Sequence, residues 1–532
     1  MTGSSSFWFA NTGAEFYNGA TSKSARFRQP DSSYLSKNFS SDGNTKTMTF
    51  SWWFKRGQST QGPYNIGEFF NHGQSGGGGS QSSARITLEA DKLNIAHEDN
   101  NATSWELISN NLFRDSSNWY HFVVAFDTTQ STNTNRVKAY VNGTELTYST
   151  ASYPSQDADM RFGQDEQYIG VSIASGSPWS ATYLDGYMCD INFVDGTALT
   201  PTSFGETKEG VWIPKEPSVT YGTNGFRLEF KQTGTGTAST STIGADTSGN
   251  TNHWTTNNFA SDDSNIPDNP ENNFATLNSM QNQTAVTLSD GNLKAVGTSA
   301  NWDNLQSTFA VSSGKWYWEV KATSVSEANA FVAGIHQTGF PAQNLHWFSA
   351  SYTASGYGIV FGVLDPDFKV TNGSNSAFTL GLATNDILQF RLNLDDNELS
   401  VSVDGSDKGK LYDITANVEY TPALCLYNTS SATMNFGQDS TFAGTETAGG
   451  NADENGNGDF HSAVPSGYLA LCSANLSEPT LGPNADEQAN DHFDSFIYSG
   501  NSDSTRTISG FNFQADFMWN KARNQTFSHR LY

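Results

Sequence analysis

The sequence predicts an all-β protein made of tandem antiparallel β-sandwiches, with a C-terminal β-rich segment. Aromatic residues make up 13% of the chain and charged residues only 15%, a balance that favours strands over exposed helices. Short segments of alternating polarity recur between turn dipeptides, which is typical of sandwiches and not of βαβ units. Because 532 residues are too many for a single core, we expect several domains.

The segment at 312–320 (SSGKWYWEV) is the clearest strand in the sequence. Two turn residues lead into strict alternation, with Trp316, Trp318 and Val320 on one face and more polar residues between them. A period of two residues predicts a half-buried strand whose two tryptophans lie in the core. The same reasoning identifies the other strands.

In the first predicted domain, alternating apolar residues indicate strands at 48–54 and 120–126. A third strand at 137–141 leads into Asn142-Gly143, a strong signal for a hairpin turn. Two further strands are expected: one with Tyr187, Cys189, Ile191 and Phe193 on one face, and one added to the same sandwich by Phe226, Leu228 and Phe230.

In the second predicted domain, Phe331, Ala333 and Ile335 alternate with other residues and indicate a core strand. Residues 388–394 and 399–403 form a hairpin with consistent register, because the acidic turn between them keeps both apolar sets on one face. Further predicted features are a turn at Asp404-Gly405 and core positions at Leu424 and Leu426.

Changes in composition divide the chain. Residues 438–464 are poor in apolar side chains and rich in Gly, Asn, Asp and Glu, so we expect an exposed loop or linker there. In chain order we predict an N-terminal arm (1–25), a first sandwich (26–206), a connector partly packed on it (207–280), a second sandwich (281–437), the loop or linker (438–464) and a C-terminal β-rich segment (465–532), either an incomplete domain or strands for assembly.

Charge and cysteine content exclude several classes of function. The formal net charge of −26 repels nucleic acids and anionic membranes, so we expect neither as a partner. No run of about 18 apolar residues predicts a membrane span. Cys189, Cys425 and Cys472 lie far apart without a CxxC motif, which predicts buried, unpaired thiols and folding in a reducing cytoplasm.

The sequence offers few candidates for catalysis or metal binding. The nine histidines form no HxxxH or HExxH pair, and no Ser-His-Asp or Cys-His constellation follows from local spacing. Acidic residues at 395–398 (DDNE), or Asp157, Asp159, Asp165 and Glu166, have the oxygen ligands that Ca²⁺ takes, but acidic turns are common. We therefore predict no catalytic, cofactor or metal site and leave Ca²⁺ open.

Two segments resemble known domain families. Residues 119–124 (WYHFVV) and 136–143 (RVKAYVNG) resemble a laminin-G/concanavalin-type jelly roll. Residues 314–320 (GKWYWEV) and 392–397 (LNLDDN) resemble a SPRY domain. The order of the whole chain resembles structural proteins of marine, cyanophage-like bacteriophages, on the motifs at 184–187 (LDGY), 193–199 (FVDGTAL), 200–206 (TPTSFGE), 221–226 (YGTNGF) and 513–519 (FQADFMW).

The concanavalin-type resemblance also implies a test for hydrolysis, since related glucanases carry a Glu-x-Asp-x-x-Glu strand. Here the corresponding residues are Glu89, Asp91 and Asn94. The i, i+2 spacing is expected to place Glu89 and Asp91 on one strand face, but Asn94 replaces the acid and cannot deliver a proton. The sequence therefore favours a protein that is not an enzyme.

Glycan binding is the chemistry that we expect instead. Sugars are held by aromatic faces together with Asn, Asp and backbone donors, and Trp179, Tyr183 and Trp347 lie in or beside predicted loops, away from core parity. These three residues are the candidate glycan-binding residues.

The phage resemblance implies a virion-surface protein, a tail fibre or spike subunit that recognises host glycans. It would be made in the host cytoplasm and located on the virion tail or capsid surface. Its partners would be itself, as a homotrimer or another symmetric oligomer, other virion proteins and host-surface glycans. Alternatives are a capsid decoration or head-fibre protein, a polysaccharide depolymerase, and a protein-binding SPRY adaptor.

Overall fold

The computed structural model confirms an all-β chain that divides into two compact units, Met1–Asn475 and Leu476–Tyr532. Each unit is described by itself. The structure describes residues 16–57, 66–73, 83–99, 102–174, 176–281, 286–297, 299–325, 330–338, 356–361, 368–371, 374–378, 380–476, 492–499, 505, 507–511, 513–523, 526 and 528–531.

The first unit begins with a sandwich of two antiparallel sheets. The strands of this region are β1 (Ala25–Phe27), β2 (Tyr34–Asn38), β3 (Thr47–Arg56), β4 (Ile66–His72), β5 (Ser83–Glu89), β6 (Lys92–Asp99), β7 (Ala102–Ser109), β8 (Trp119–Asp127), β9 (Val137–Val141), β10 (Thr144–Glu145), β11 (Tyr148–Ser152), β12 (Glu166–Ile169), β13 (Ile173–Ala174), β14 (Ser177–Pro178), β15 (Gly186–Asp195), β16 (Gly205–Lys208), β17 (Val211–Pro214), β18 (Phe226–Leu228) and β19 (Thr255–Asn257). Strands β13 and β14, and strands β16 and β17, form two separate two-stranded sheets.

The two sheets of this first sandwich enclose one aromatic-rich core. Sheet A has the order β1-β15-β3-β8-β9-β10, with β18 also paired to β15, and sheet B has the order β11-β7-β6-β5-β4-β12-β2-β19. Met48, Phe50, Trp52 and Phe54 of β3 all lie in this core, as their alternation predicts. The predicted added strand is β18, which pairs with β15 through Phe226 and Leu228.

A second sandwich follows in the same unit. Sheet C has the order β20-β21-β32-β23-β28-β29-β30, with β33 parallel to β23, and sheet D the order β22-β31-β24-β25-β26-β27. These strands are β20 (Val286–Ser289), β21 (Lys294–Gly297), β22 (Ser299–Gln306), β23 (Lys315–Ser324), β24 (Phe331–Gln337), β25 (Gly356–Phe361), β26 (Phe368–Thr371), β27 (Ser374–Ala377), β28 (Ile387–Asn393), β29 (Glu398–Val403), β30 (Ser406–Asp413), β31 (Tyr420–Asn428), β32 (Ser431–Asn435) and β33 (Leu469–Ala470).

The predicted core strands and turns of the second sandwich are confirmed. Trp316, Trp318 and Val320 lie in one core with the alternating residues of β24, β28, β29 and β31. The turn at Asp404-Gly405 has positive φ at both residues (46° and 75°), as does the turn at Asn142-Gly143 in the first sandwich (45° and 77°). Such paired left-handed residues match the twist of a hairpin.

The remaining described elements are short. Five 3₁₀ helices occur among the described residues, and the second unit contributes one small hairpin, β34 (Trp519–Asn520) with β35 (Arg530–Leu531). In the part of the chain that the structure describes, no helix is long and apolar enough to cross a membrane. The 3₁₀ helices are Asn133–Asn135, Pro201–Ser203, Ser261–Asp263, Ser279–Gln281 and Ser473–Asn475.

The predicted face of β15 is wrong because the strand contains a bulge. Tyr187 and Cys189 pack with Trp53 on the outer side of sheet A, whereas Ile191 and Phe193 lie in the sandwich core. The register with β3 shifts between Cys189 and Asn192, and the intervening Asp190 has φ of 45°. An extra residue in one strand reverses the parity of every side chain beyond it.

The description of β23 as half-buried is also wrong. Tyr317, Glu319 and Lys321, on the face opposite the tryptophans, are buried as well. Glu319 accepts hydrogen bonds from the backbone N–H groups of His461 (2.9 Å) and Ser462 (2.8 Å). The C-terminal part of the first unit therefore covers this side of sheet C.

Residues 438–464 form the covering segment, which was expected to be an exposed loop or linker. They form no long strand, and positions 444–456 are largely exposed, but Ser440, Phe442 and Phe460 are buried. Asn435 donates its Nδ2 to Glu319 and to the carbonyl of Asp459, so buried polar groups attach this segment to sheet C. The segment is therefore an irregular loop that is buried near its two ends and exposed in its middle.

Buried charges join the two sandwiches. Arg26 of β1 contacts Asp439, which follows β32, at 2.8 Å, and both side chains are buried. Arg28 contacts Asp290 of the β20–β21 turn at 2.8 Å. Lys55 contacts Asp268 at 2.7 Å in the connector between the sandwiches. A buried charge is costly unless it is paired, so these contacts fix how the two sandwiches pack within the first unit.

The three cysteines are buried, as the sequence predicts. Burial raises the pKa of Cys189 well above that of a free thiol and that of Cys472 to about 12. These thiols are protonated at neutral pH and are poor nucleophiles.

Candidate functional site

One row of side chains crosses the outer face of sheet B. Strand pairing places Ser36 opposite Tyr168, Tyr168 opposite Asn71, and Asn71 opposite Arg85. The row continues through Ala96 to Glu106. The flanking residues on these strands point into the core, namely Leu35, Ile169, Phe70, Ile86, Ile95 and Leu107. Alternation thus places polar and aromatic side chains on the side of sheet B away from the core, where Tyr168, Arg85 and Glu106 are partly exposed and Asn71 and Ala96 are buried.

Tyrosines form one end of this surface. The ring of Tyr34 lies 6.1 Å from that of Tyr168 and 6.2 Å from that of Tyr183, measured between centroids. Gly73 permits the position of Tyr168, because a Cβ there would lie 2.8 Å from the ring. Burial raises the pKa of Tyr168, assisted by the hydrogen bond that its hydroxyl donates to Glu166, so the phenol stays neutral and can accept a further hydrogen bond.

Carboxylates and amides form the other end. Asn94 Nδ2 donates to Glu89 Oε2 and to Glu106 Oε1, each at 3.0 Å. Arg85 forms an ion pair with Glu98. Opposite charges and an amide on adjacent strands thus hold one another in fixed positions, which preorganises the surface.

A buried acid lies beside this group. The side chain of Glu68 is 1% exposed, and burial raises its pKa well above the usual value, against the lowering effect of Arg85 and a hydrogen bond to Asn71. Its Oε1 has no hydrogen-bond partner among the described residues. Burial of Glu68 therefore favours the protonated form of its carboxyl, against the effect of the neighbouring guanidinium.

Of the three predicted glycan-binding residues, one belongs to the site on sheet B. Tyr183 belongs to the tyrosine group described above. Trp179 is 40% exposed, directly after β14, and its carbonyl accepts a hydrogen bond from Thr182 Oγ1 (2.8 Å). Trp347 lies outside the described residues. Tyr34, Tyr168 and the polar end were missed, because only the strand order of sheet B brings them together.

The prediction that Glu89 and Asp91 share a strand face is wrong. β5 ends at Glu89, and Asp91 lies in the hairpin turn with φ of 68°. Asp91 forms ion pairs with Arg56 (2.7 Å) and Arg114 (2.6 Å). The glucanase-like spacing therefore spans a turn and does not align two carboxylates.

A serine and a histidine far apart in sequence meet in sheet A. Ser51 Oγ lies 2.9 Å from His121 Nε2, and Trp212 Nε1 lies 2.9 Å from His121 Nδ1. An indole N–H only donates, so Nδ1 accepts and the neutral ring carries its proton on Nε2. The histidine therefore donates to Ser51 and cannot remove its proton, which is the opposite of a nucleophilic serine. This buried trio is structural.

The acidic turn at 395–398 is used within the fold. Asp395 accepts a hydrogen bond from the backbone of Gly314 (3.1 Å), and Asp396 accepts one from Asn393 (2.7 Å). Among the described residues, no group of three or more His, Cys, Asp or Glu side chains is arranged to hold a metal ion.

Comparisons with known proteins support the fold of the first sandwich. The family model described as the concanavalin A-like lectin/glucanases superfamily matches residues 29–203. A second family model, a domain of unknown function (DUF7483), matches residues 488–532. No curated protein matches the chain.

Solved structures similar to this chain include SPRY domains. The SPRY domain of human HERC1 is 14% identical, with 31% of this chain and 97% of that chain covered and a TM-score of 0.25. The TRIM65 PSpry domain is 18% identical, with 30% and 91% covered and a TM-score of 0.25. Stonustoxin is 17% identical, with 30% and 27% covered and the same TM-score.

Proposed function

We propose that this chain is a bacteriophage virion-surface protein, a tail fibre or spike subunit, that binds host-surface glycans on the outer face of sheet B. The observation that carries the proposal is the joined tyrosine and polar row on that face. Tyr34, Tyr168 and Tyr183 offer ring faces, and the partly exposed Arg85 and Glu106 offer a donor and an acceptor on neighbouring strands.

The chemistry of this face suits a saccharide. A sugar ring has apolar C–H patches that pack on aromatic rings and hydroxyls that both donate and accept hydrogen bonds. Sites of this kind combine apolar area with a few fixed polar groups. The tyrosines supply the apolar area, and the Arg85–Glu98 pair and Glu106 supply the fixed polar groups, on strands that do not need to move.

Binding to purified bacterial surface polysaccharide tests the proposal. Tyr168→Ala and Tyr34→Ala are each expected to weaken binding by about tenfold, about 1.4 kcal/mol. Tyr140→Ala is the control, since this tyrosine pairs within sheet A. Isothermal titration measures all three. Equal affinity of wild type and both sheet B variants would remove this face from the proposal.

Location on the virion is tested separately. Antibodies against the chain are expected to label the tail in electron micrographs of phage particles. Label on the head would favour the capsid decoration or head-fibre alternative. Absence of the chain from purified virions would refute both.

A second candidate function, polysaccharide depolymerisation, is favoured by Glu68. Burial raises the pKa of Glu68, and a carboxyl with a raised pKa beside further carboxyl groups such as Glu89 and Glu98 is the arrangement that a general acid and its partner need. Incubation with the polysaccharide should yield new reducing ends if this function holds, and Glu68→Gln should abolish them. Release that is unaffected by Glu68→Gln and by Glu89→Gln would exclude these residues as the catalysts.

Assembly into a symmetric oligomer is part of the proposal. In the second unit, large apolar side chains are exposed, and exposed apolar patches commonly mark contact surfaces. We expect a multiple of the monomer mass by light scattering after gel filtration. The exposed residues are Phe493, Phe496, Ile497, Tyr498, Phe517, Met518, Trp519 and Leu531.

A further inference from the structure

A cleft of about 790 Å³ lies in the first unit, outside the face of sheet B described above. Three parts of the chain that are distant in sequence form it: the segment before β1, the connector near residue 270, and the covering segment near residue 455. Its lining includes Tyr17, Lys23 and Asp459. The volume is within the range of small-ligand sites, about 300–1,000 Å³.

Carboxylates hold the walls of the cleft in place. Glu271 accepts hydrogen bonds from the backbone N–H groups of Gly19 (3.0 Å) and Thr21 (3.1 Å), which fixes the N-terminal wall. Asp453 is buried and accepts from the backbone N–H groups of Asn455 (2.9 Å) and Asn457 (2.8 Å), which fixes the opposite wall. The cleft is therefore preorganised, and little ordering cost remains for a ligand.

Two lining groups keep hydrogen-bonding capacity that a ligand can reach. Lys23 forms no hydrogen bond or ion pair with its ammonium to any residue that the structure describes, and its side chain is half-buried. The hydroxyl of Tyr17 forms no hydrogen bond to a described residue either, and its ring packs edge-on against Phe16 at 5.0 Å. Asp459 Oδ1 also lacks a partner among these residues, but this oxygen is fully buried.

The charges of the lining select the ligand. One cation, Lys23, is accompanied by two acidic residues, Glu271 and Asp459, so the cleft does not favour an anion. An ammonium donor, carboxyl acceptors and one aromatic ring together suit hydroxyl groups on a compact ring. Burial lowers the pKa of Lys23, which accords with an ammonium that lacks a full counter-charge.

We propose that this cleft binds a neutral oligosaccharide, as a site separate from the outer face of sheet B. The choice of a saccharide rests on the proposed function, whereas the location rests on the cleft alone. Lys23 donates to a ligand hydroxyl, the hydroxyl of Tyr17 bonds to another, and the ring of Tyr17 packs on an apolar sugar face.

A printed array of neutral and acidic bacterial oligosaccharides, followed by isothermal titration with the strongest neutral one, tests this site. Lys23→Met removes the donor and should weaken that binding at least tenfold. Ala448→Trp, at an exposed position of the lining, should block the cleft to a similar extent without disturbing the core. Lys138→Met is the control, because Lys138 forms a solvent-exposed pair with Glu145. Thermal unfolding verifies that each variant folds.

The binding results distinguish the cleft from the face of sheet B. Binding of a neutral oligosaccharide that is lost in both cleft variants and kept in Tyr168→Ala supports the cleft. Binding that is lost only in Tyr168→Ala overturns the cleft and leaves the sheet B proposal intact. A preference for acidic glycans that Lys23→Met removes overturns the neutral ligand class. No binding of the wild type to any array member counts against both sites.

Discussion

The indole Nε1–H of Trp212 donates a hydrogen bond to Nδ1 of His121 at 2.9 Å, inside the layer that covers sheet A. The two rings also stack, with centroids 5.9 Å apart, and Trp53 stacks on the other side of His121 at 4.5 Å. Burial lowers the pKa of His121 from 6.5 to about 3. The His121 ring is thereby kept neutral, although it lies within hydrogen-bonding distance of a serine, as a catalytic histidine would.

Acidification should destabilise the protein through His121. Its folded pKa lies below its unfolded value, so the stabilisation is complete above pH 6.5 and is lost as the pH falls towards 3. The slope attributable to this group reaches about 1.4 kcal/mol per pH unit. Urea unfolding at pH 7, 5.5 and 4.5 measures it.

His121→Gln, which does not titrate, should show a shallower loss of stability over that range than the wild type. The background slope from His72, whose pKa burial lowers to about 4, remains in both proteins. Parallel curves for the two proteins would contradict the role assigned to His121.

Asp185 should have the opposite effect at higher pH. Burial, with a smaller effect of Asp290, raises its pKa from 3.8 to about 8. Its contribution to stability is complete below pH 3.8 and is lost as the pH rises through about 8. Asp185→Asn should therefore gain stability relative to the wild type between pH 5 and 8.5, measured by thermal unfolding across that range. A constant difference between the two proteins would show that Asp185 does not titrate there.

Alternation of apolar and polar residues predicted the individual strands well. It predicted the wrong face where an extra residue in one strand changed the side-chain parity. Met48 to Phe54 and Leu388 to Leu392 lie in the predicted cores, because a regular pleat carries the parity along each strand. Asp190 adds one residue to β15, and the side chains beyond it change faces. A bulge depends on the partner strand, so spacing within a single strand does not reveal it.

The candidate sites depend on strand order, which no local pattern contains. Tyr34 and Tyr168 are 134 positions apart and become neighbours because β2 pairs with β12. The loop position of Tyr183 identified it as a candidate residue. The sequence did not identify the neighbouring tyrosines of sheet B, with which it forms one group. The cleft is less predictable still, since Lys23 and Asp459 meet only after the covering segment has folded back over sheet C.

The junction of the two sandwiches should be sensitive to loss of Arg26. Arg26→Met would leave Asp439 buried without its cation and Asp263 with Arg28 as its cation, at a cost of about 3–5 kcal/mol. The double variant Arg26→Met, Asp439→Asn should recover part of this loss, because it also removes a buried charge. Calorimetric unfolding measures both.

Lys410→Met provides the matched comparison for Arg26. Lys410 pairs with Glu398 and Asp413 at the surface, where solvent screens the charges, so we expect little change in the unfolding temperature. Equal changes in the unfolding temperature for Lys410→Met and Arg26→Met would show that the buried junction contributes no more to stability than a surface pair.

Gly143 should tolerate a side chain less well than Gly210, although both have left-handed backbones. φ is 77° at Gly143 and 84° at Gly210, so the backbone strain of an alanine, about 1–2 kcal/mol, is similar at both. A Cβ at Gly143 would lie 2.6 Å from the ring of Trp212, whereas nothing lies within 4 Å of one at Gly210. Gly143→Ala should therefore lower the unfolding temperature more than Gly210→Ala. It should also raise the exposure of Trp212, measured by acrylamide quenching of fluorescence, because the ring that fixes the tautomer of His121 must move. Equal effects of the two substitutions would mean that the Trp212 ring does not pack on this turn as described.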